Sequence, residues 1–204
     1  MKKYFKFLLN TILNYKLYSI VIIFYEIYFI LKFSTKLNKF KYLNNDYLSD
    51  SIPCSFYILC KISNFVNKNK INFICDLGSG YGKILYYFGN IKKIYIDGIE
   101  YESSIYNESK KLENEKIKVY NSDFFNFNFK EKNYNLLILN DPLKKPEDLE
   151  KLINLLKLIN KNHFLVFVNL SHNKIKIIEK NFLILSKKEF SNSRNYFFVE
   201  NKKD

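Results

Sequence analysis

All five glycines of this 204-residue chain fall between Gly78 and Gly98, and three of them, Gly78, Gly80 and Gly82, take alternate positions. They follow the apolar run Ile71–Cys75, which reads as a short buried strand, and they precede Lys83–Phe88, which opens a helix. Glycine lets a chain reverse sharply after a strand and lets a ligand come close to the backbone. A strand, a loop with three glycines and a helix form one unit of a layered α/β sheet. The spacing points to a ligand-binding loop rather than a generic turn.

The rest of the chain continues the alternation. Ile94–Ile99, Ile117–Tyr120, Leu136–Leu139 and Phe164–Val168 read as strands, and Ser103–Leu112 and Pro146–Ile159 read as helices. Phe182–Leu185 and Tyr196–Val199 read as a terminal strand pair. Continuous apolar strands are buried on both faces, so the expectation is an α/β fold with a doubly wound, mostly parallel sheet. Ligands of such sheets bind at the carboxyl ends of the strands, where the strand order reverses. Ile52–Val66 has helical apolar spacing with Pro53 in its first turn, and 67–70 form a junction. Two regions follow: an N-terminal hydrophobic helix and linker over 1–50, and a ligand-binding domain over 51–204.

Before the domain, Leu17–Leu31 is apolar except for Glu26 and lies between Lys16 and Lys32. A bilayer span needs about 20 apolar residues, so the run is short. Lysines on its two sides tie and give no orientation. No small-residue cleavage site marks a signal peptide. Three placements stay open: a short anchor, a helix lying on lipid, and a helix packed on the domain. The expected location is cytoplasmic, with contact to a membrane surface through residues 17–31. Asn44-Asn45-Asp46 reads as a loop in the polar stretch Ser34–Asp50.

Hydrophobic residues make up 48% of the chain, and the net charge is +13. Arg194 is the one arginine among 33 basic residues, so no cluster of guanidinium forks marks a phosphate surface. The lysine excess, with no alanine and abundant Asn, Ile, Phe and Tyr, fits an A+T-rich coding bias. Nucleic acid is not excluded. Cys54, Cys60 and Cys75 are odd in number and lack zinc-ligand spacing, so free thiols in a reducing compartment and no metal site are expected. His163 and His172 read as surface residues.

The loop chemistry narrows the ligand. A triphosphate loop needs Gly-Lys-Ser/Thr, but Gly82-Lys83 is followed by Ile84. A dinucleotide fingerprint would place its third glycine where Lys83 stands. The pattern is instead Asp76-Leu77-Gly78-Ser79-Gly80-Tyr81-Gly82. A carboxylate at Asp76 repels a pyrophosphate and suits an ammonium group. S-adenosylmethionine (SAM) carries an α-amino group and no phosphate.

This motif resembles that of the class I SAM-dependent methyltransferases, an acidic residue followed by G-x-G-x-G. The resemblance implies a seven-stranded sheet and cofactor contacts from Asp76, Gly78, Ser79, Gly80 and Gly82. It implies that Glu100, ending Asp97-Gly98-Ile99-Glu100, takes both ribose hydroxyls. It also implies that Asp123 meets the adenine amino group while Phe124 lines the ring. Asn140-Asp141-Pro142-Leu143 is similar to the Asn/Asp-Pro-Pro-aromatic motif of nitrogen methyltransferases. It departs from that motif by one proline and by Leu143 in place of the ring. Asn140, Asp141 and Pro142 are the implied catalytic residues.

The loop with Gly98-Ile99-Glu100 is also similar to non-SET histone lysine methyltransferases and to small bacterial and mitochondrial protein-lysine methyltransferases. Several of the latter carry an N-terminal hydrophobic helix and a Pro-Ser/Thr segment, here Ser51-Ile52-Pro53-Cys54-Ser55. The expected activity is methyl transfer from SAM to a nitrogen such as a protein lysine, with Asp141 or desolvation removing the amine proton. Two rivals are a non-catalytic SAM-binding or membrane-tethered interaction protein, and a nicotinamide oxidoreductase. Oligomeric state does not follow from the sequence.

Overall fold

The computed structural model describes residues 9, 11–13, 15–33, 49, 52–159, 163–191 and 193–201. A 3-10 turn at Lys16–Tyr18 leads into α1 (Ser19–Phe33), and α2 is Phe56–Lys68. Then come β1 (Phe73–Leu77), α3 (Lys83–Leu85) continuing as a π-helix over Tyr86–Ile91, and β2 (Tyr95–Glu100). Next are α4 (Ser103–Ser109), β3 (Ile117–Asn121), β4 (Leu136–Asn140) and α5 (Pro146–Lys157). The chain ends with β5 (His163–Val168), α6 (His172–Asn181), β6 (Leu183–Ser191) and β7 (Arg194–Asn201).

Seven strands form one sheet in the order β3-β2-β1-β4-β5-β7-β6. Strands β1 to β5 pair in parallel, and β7 inserts antiparallel between β5 and β6. The order reverses at β1, whose neighbours are β2 and β4. Side chains of one strand face two cores. Ile74 joins a core with Ile58, Ile62 and Leu85, while Cys75 and Leu77 join the other with Leu152 and Ile175. The double burial explains the unbroken apolar runs in the sequence.

Four sequence expectations change. Helix α2 begins at Phe56, with Ser55 as its N-cap accepting the Ile58 N–H at 3.3 Å, so Pro53 lies outside the helix. Helix α6 is a full element that the alternation Lys174-Ile175-Lys176-Ile177 conceals. His163 is buried, with Nε2 3.3 Å from Asn201 Nδ2, whereas His172 is exposed. Glu26 does not merely interrupt an apolar run; it is buried, and its role is described below. The boundary at residues 50 and 51, Ser51 of the Pro-Ser/Thr segment, and the 44–46 loop lie outside the described residues.

Helix α1 packs on the domain through Ile22, Glu26 and Phe29, and the Phe29 and Phe56 rings stack at 4.6 Å. Its opposite face leaves Ile20, Phe24 and Leu31 exposed, with Leu17 92% exposed in the preceding turn. Of the three placements, packing on the domain is the one observed. No helix among the described residues is long and apolar enough to cross a membrane.

Candidate functional site

The glycine loop leaves the carboxyl end of β1 at the point where the strand order reverses. Gly78, Gly80 and Gly82 all have positive φ, at 81°, 55° and 79°. These are values that glycine adopts without a Cβ penalty. The N–H groups of Gly78 and Ser79 donate to the Ile99 carbonyl at 2.9 and 3.0 Å, which ties the loop to β2. A Cβ on Gly78 would lie 2.8 Å from Pro142 Cβ, so the loops after β1 and β4 touch.

Three carboxylates lie at the carboxyl ends of β1, β2 and β3. Asp76 is fully buried at the end of β1, and neither of its oxygens has a hydrogen-bond partner among the described residues. Burial pushes its carboxyl well above the usual range, and the nearby Glu100 pushes it further. The Ser79 hydroxyl is also buried without a partner. Glu100 accepts the Gly80 N–H at 2.8 Å and the Glu102 N–H at 2.9 Å. Its carboxyl is raised by burial, which these backbone donors oppose. After β3, Asp123 accepts the Phe125 N–H at 2.9 Å in a side-chain turn, and Phe124 is buried beside it. All of these groups sit at the carboxyl ends of β1, β2 and β3, as the sequence implies.

At the end of β4, Asn140 donates to the Ile52 carbonyl at 2.7 Å and accepts from Asn169 Nδ2 at 2.7 Å. Asp141 turns left-handed, with φ 45°, and pairs with Lys174 of α6 at 2.5 Å. Burial raises the Asp141 carboxyl, and the Lys174 charge opposes it. Lys174 also donates to the Leu143 carbonyl, and Leu143 itself is only 1% exposed. Among the described residues, Ser49 donates to the Pro142 carbonyl at 3.1 Å.

Residues 32–202 match the model of the ribosomal RNA adenine dimethylase family. The chain belongs to this family. Among solved structures it is similar to an RNA methyltransferase from Salinibacter ruber in complex with S-adenosyl-L-homocysteine. That pair has 14% identity and a TM-score of 0.60, covering 75% of this chain and 95% of that one. It is also similar to a magnesium protoporphyrin IX methyltransferase from Synechocystis PCC 6803 with bound SAM. There the identity is 15% and the TM-score 0.55, over 71% of this chain and 77% of that one. At such identities the structural likeness concerns the fold. No curated protein matches the chain.

The protein is thus a class I SAM-dependent methyltransferase. The orphaned Asp76 carboxylate and Ser79 hydroxyl fit this cofactor, because a buried anion without a donor needs a cation or an N–H. A nicotinamide oxidoreductase is set aside, since this carboxylate stands where a pyrophosphate would approach.

Two side-chain pairings beside these loops were not singled out in the sequence. Lys83, the first residue of α3, reaches both Glu26 oxygens at 3.1 and 2.9 Å, and Glu26 also accepts the Phe56 N–H at 2.6 Å. This joins α1, α2 and the end of the glycine loop. Asn169, one residue past β5, contacts Asn140. Neither pairing has a local sequence signature.

Proposed function

We propose that this methyltransferase acts on a nitrogen, the side-chain amine of a protein lysine. The observation that supports it is the end of β4. It carries carboxamide oxygen for an N–H, while Leu143 replaces the ring of the nitrogen methyltransferases' motif and is buried at 1% exposure. A lysine chain is slim and needs no stacking platform. An adenine held for reaction gains from aromatic stacking.

Bound SAM supplies a methyl group on an electrophilic sulfonium. In this reading Asp76 faces the α-amino group, with Gly78, Ser79, Gly80 and Gly82 giving the close backbone approach. Glu100 turns from the Gly80 and Glu102 donors toward the ribose hydroxyls. Asp123 meets the adenine amino group, and Phe124 lines the ring. Asn140 accepts an acceptor N–H. Pro142 keeps this loop against Gly78, so donor and acceptor stay in line. Asp141 is the counter-ion that fixes Lys174 against the Leu143 carbonyl. Loss of the amine proton is then left to desolvation, which favours the neutral amine.

The family match favours a second acceptor, an adenine amine of RNA. Incubation with tritiated SAM and total extract from cells lacking the enzyme separates the two readings. Label that protease releases and nuclease leaves supports the lysine reading. Label released by nuclease sinks it in favour of the base.

A further inference from the structure

Asn169 lies one residue past β5, beside the end of β4, and its backbone is left-handed at φ 60°. It is 8% exposed, and its side-chain oxygen has no hydrogen-bond partner among the described residues. The neighbouring groups fix which end of the carboxamide is oxygen. Asn140 Nδ2 donates to the Ile52 carbonyl, so Asn140 Oδ1 is the end that faces Asn169 and takes its Nδ2 at 2.7 Å. Flipping either amide would set oxygen against oxygen or nitrogen against nitrogen.

The corner is held from behind. The Asn169 N–H donates to the Asn195 carbonyl at 3.0 Å. Asn195 is fully buried and grips Leu170 twice, accepting its N–H at 2.9 Å and donating to its carbonyl at 2.7 Å. A buried carbonyl held rigidly and left without a donor costs stability, so its retention calls for a ligand that supplies the hydrogen. It stands at the strand ends where a doubly wound sheet binds its ligands.

We infer that Asn169 Oδ1 is a further catalytic group, accepting an N–H of the methyl acceptor beside Asn140; this rests on the nitrogen-acceptor reading above. An amine with one N–H on Asn169 has its lone pair directed away from that carbonyl. As the N–C bond forms and the C–S bond breaks, the electron pair passes to sulfur, the sulfonium becomes a thioether and the nitrogen gains positive charge. Its N–H becomes a stronger donor at that moment. The hydrogen bond to Oδ1 therefore strengthens in the transition state, which lowers the barrier rather than KM. The extra proton on the methylated nitrogen leaves to solvent afterwards.

Two variants that tolerate the left-handed backbone test this. The readouts are SAM affinity and the rate of tritium transfer from SAM into total protein, or into RNA if that fraction takes the label. Asn169→Gly removes the carbonyl and is expected to keep SAM affinity within about twofold while the saturated rate falls about 100-fold. Asn169→Asp keeps an oxygen but adds a charge that stabilises a lysine acceptor as ammonium. Its pH–rate profile is expected to shift to higher pH, with the rate recovering in alkali. A glycine variant with the wild-type rate, or one that loses SAM affinity, overturns the inference. A slow glycine variant beside an unshifted aspartate profile keeps Asn169 on the acceptor and overturns only the lysine reading. If the glycine variant does not fold, an aspartate variant with the wild-type rate and profile overturns the inference.

Discussion

Gly80→Val is expected to abolish SAM binding, from micromolar affinity, about −8 kcal/mol, to no detectable heat by calorimetry. Gly80 sits at φ 55°, a conformation that a β-branched residue adopts only as an outlier. Its N–H is also the donor that meets Glu100 at 2.8 Å, so a shifted backbone moves the loop and the Glu100 carboxylate together. The loop lies beyond β1 rather than inside the sheet, so the variant is expected to keep a cooperative thermal transition. Wild-type heats from this variant would contradict the placement of the cofactor in the glycine loop.

Glu26→Ala is expected to destabilise the protein by about 3–5 kcal/mol, the usual cost of leaving a buried charge without its partner. For a chain of this size that lowers the melting temperature by roughly 10 °C. Glu26 is 2% exposed and Lys83 4% exposed, so water cannot replace the lost carboxylate without opening the packing. The substitution also removes the acceptor of the Phe56 N–H at the start of α2. Lys83 Nζ also lies 4.1 Å from the centre of the Phe56 ring, a contact that does not neutralise its charge. The double variant Glu26→Leu with Lys83→Met removes both charges and is expected to regain much of the loss. Differential scanning calorimetry reads all three proteins. Deletion of residues 1–33 belongs to the same series and should destabilise the domain. A deletion product as stable as the full chain would contradict the docking of α1.

Legibility in the sequence followed the physics of each element. Strands β4 and β5 were visible because burial on both faces forces continuous apolar runs. The glycine loop was visible because three left-handed positions admit little else. Strand β6 runs over nine residues, Leu183–Ser191, but only its start was expected. It is an edge strand, and Lys187, Lys188 and Glu189 break the apolar pattern there. Helix α6 was missed because Lys174-Ile175-Lys176-Ile177 alternates like a strand, while its inward residues Ile175 and Ile178 stand three apart. The π-helical stretch Tyr86–Ile91 left no mark either, because its apolar residues fit an ordinary helix equally well.

The candidate site divides the same way. Asp76, Glu100 and Asp123 could be placed because strand ends and spacing fix them along the chain. Glu26 could not, because its partner Lys83 is 57 residues away and a lone glutamate in an apolar run also fits a membrane-facing helix. Asn169 could not, because its meaning depends on Asn140 across the β4–β5 pair and on Asn195 behind it. The Lys174 partner of Asp141 was hidden with the helix that carries it.

The Asp76 carboxyl offers the most direct test of how the cofactor is held. Without SAM its pKa is raised above the unfolded value. The folded protein then binds more protons than the unfolded chain between those two values, and stability falls as pH rises through that window. A cofactor ammonium beside Asp76 favours the charged form and lowers this pKa, so binding must release a proton at pH values below the raised one. Calorimetry of SAM binding in buffers of different ionisation heat measures that proton directly. The expected result is net proton release that fades as pH rises past the free-protein value and is absent in Asp76→Asn. Tight SAM binding with the same proton balance in wild type and Asp76→Asn would show that this carboxylate does not face the cofactor's amino group.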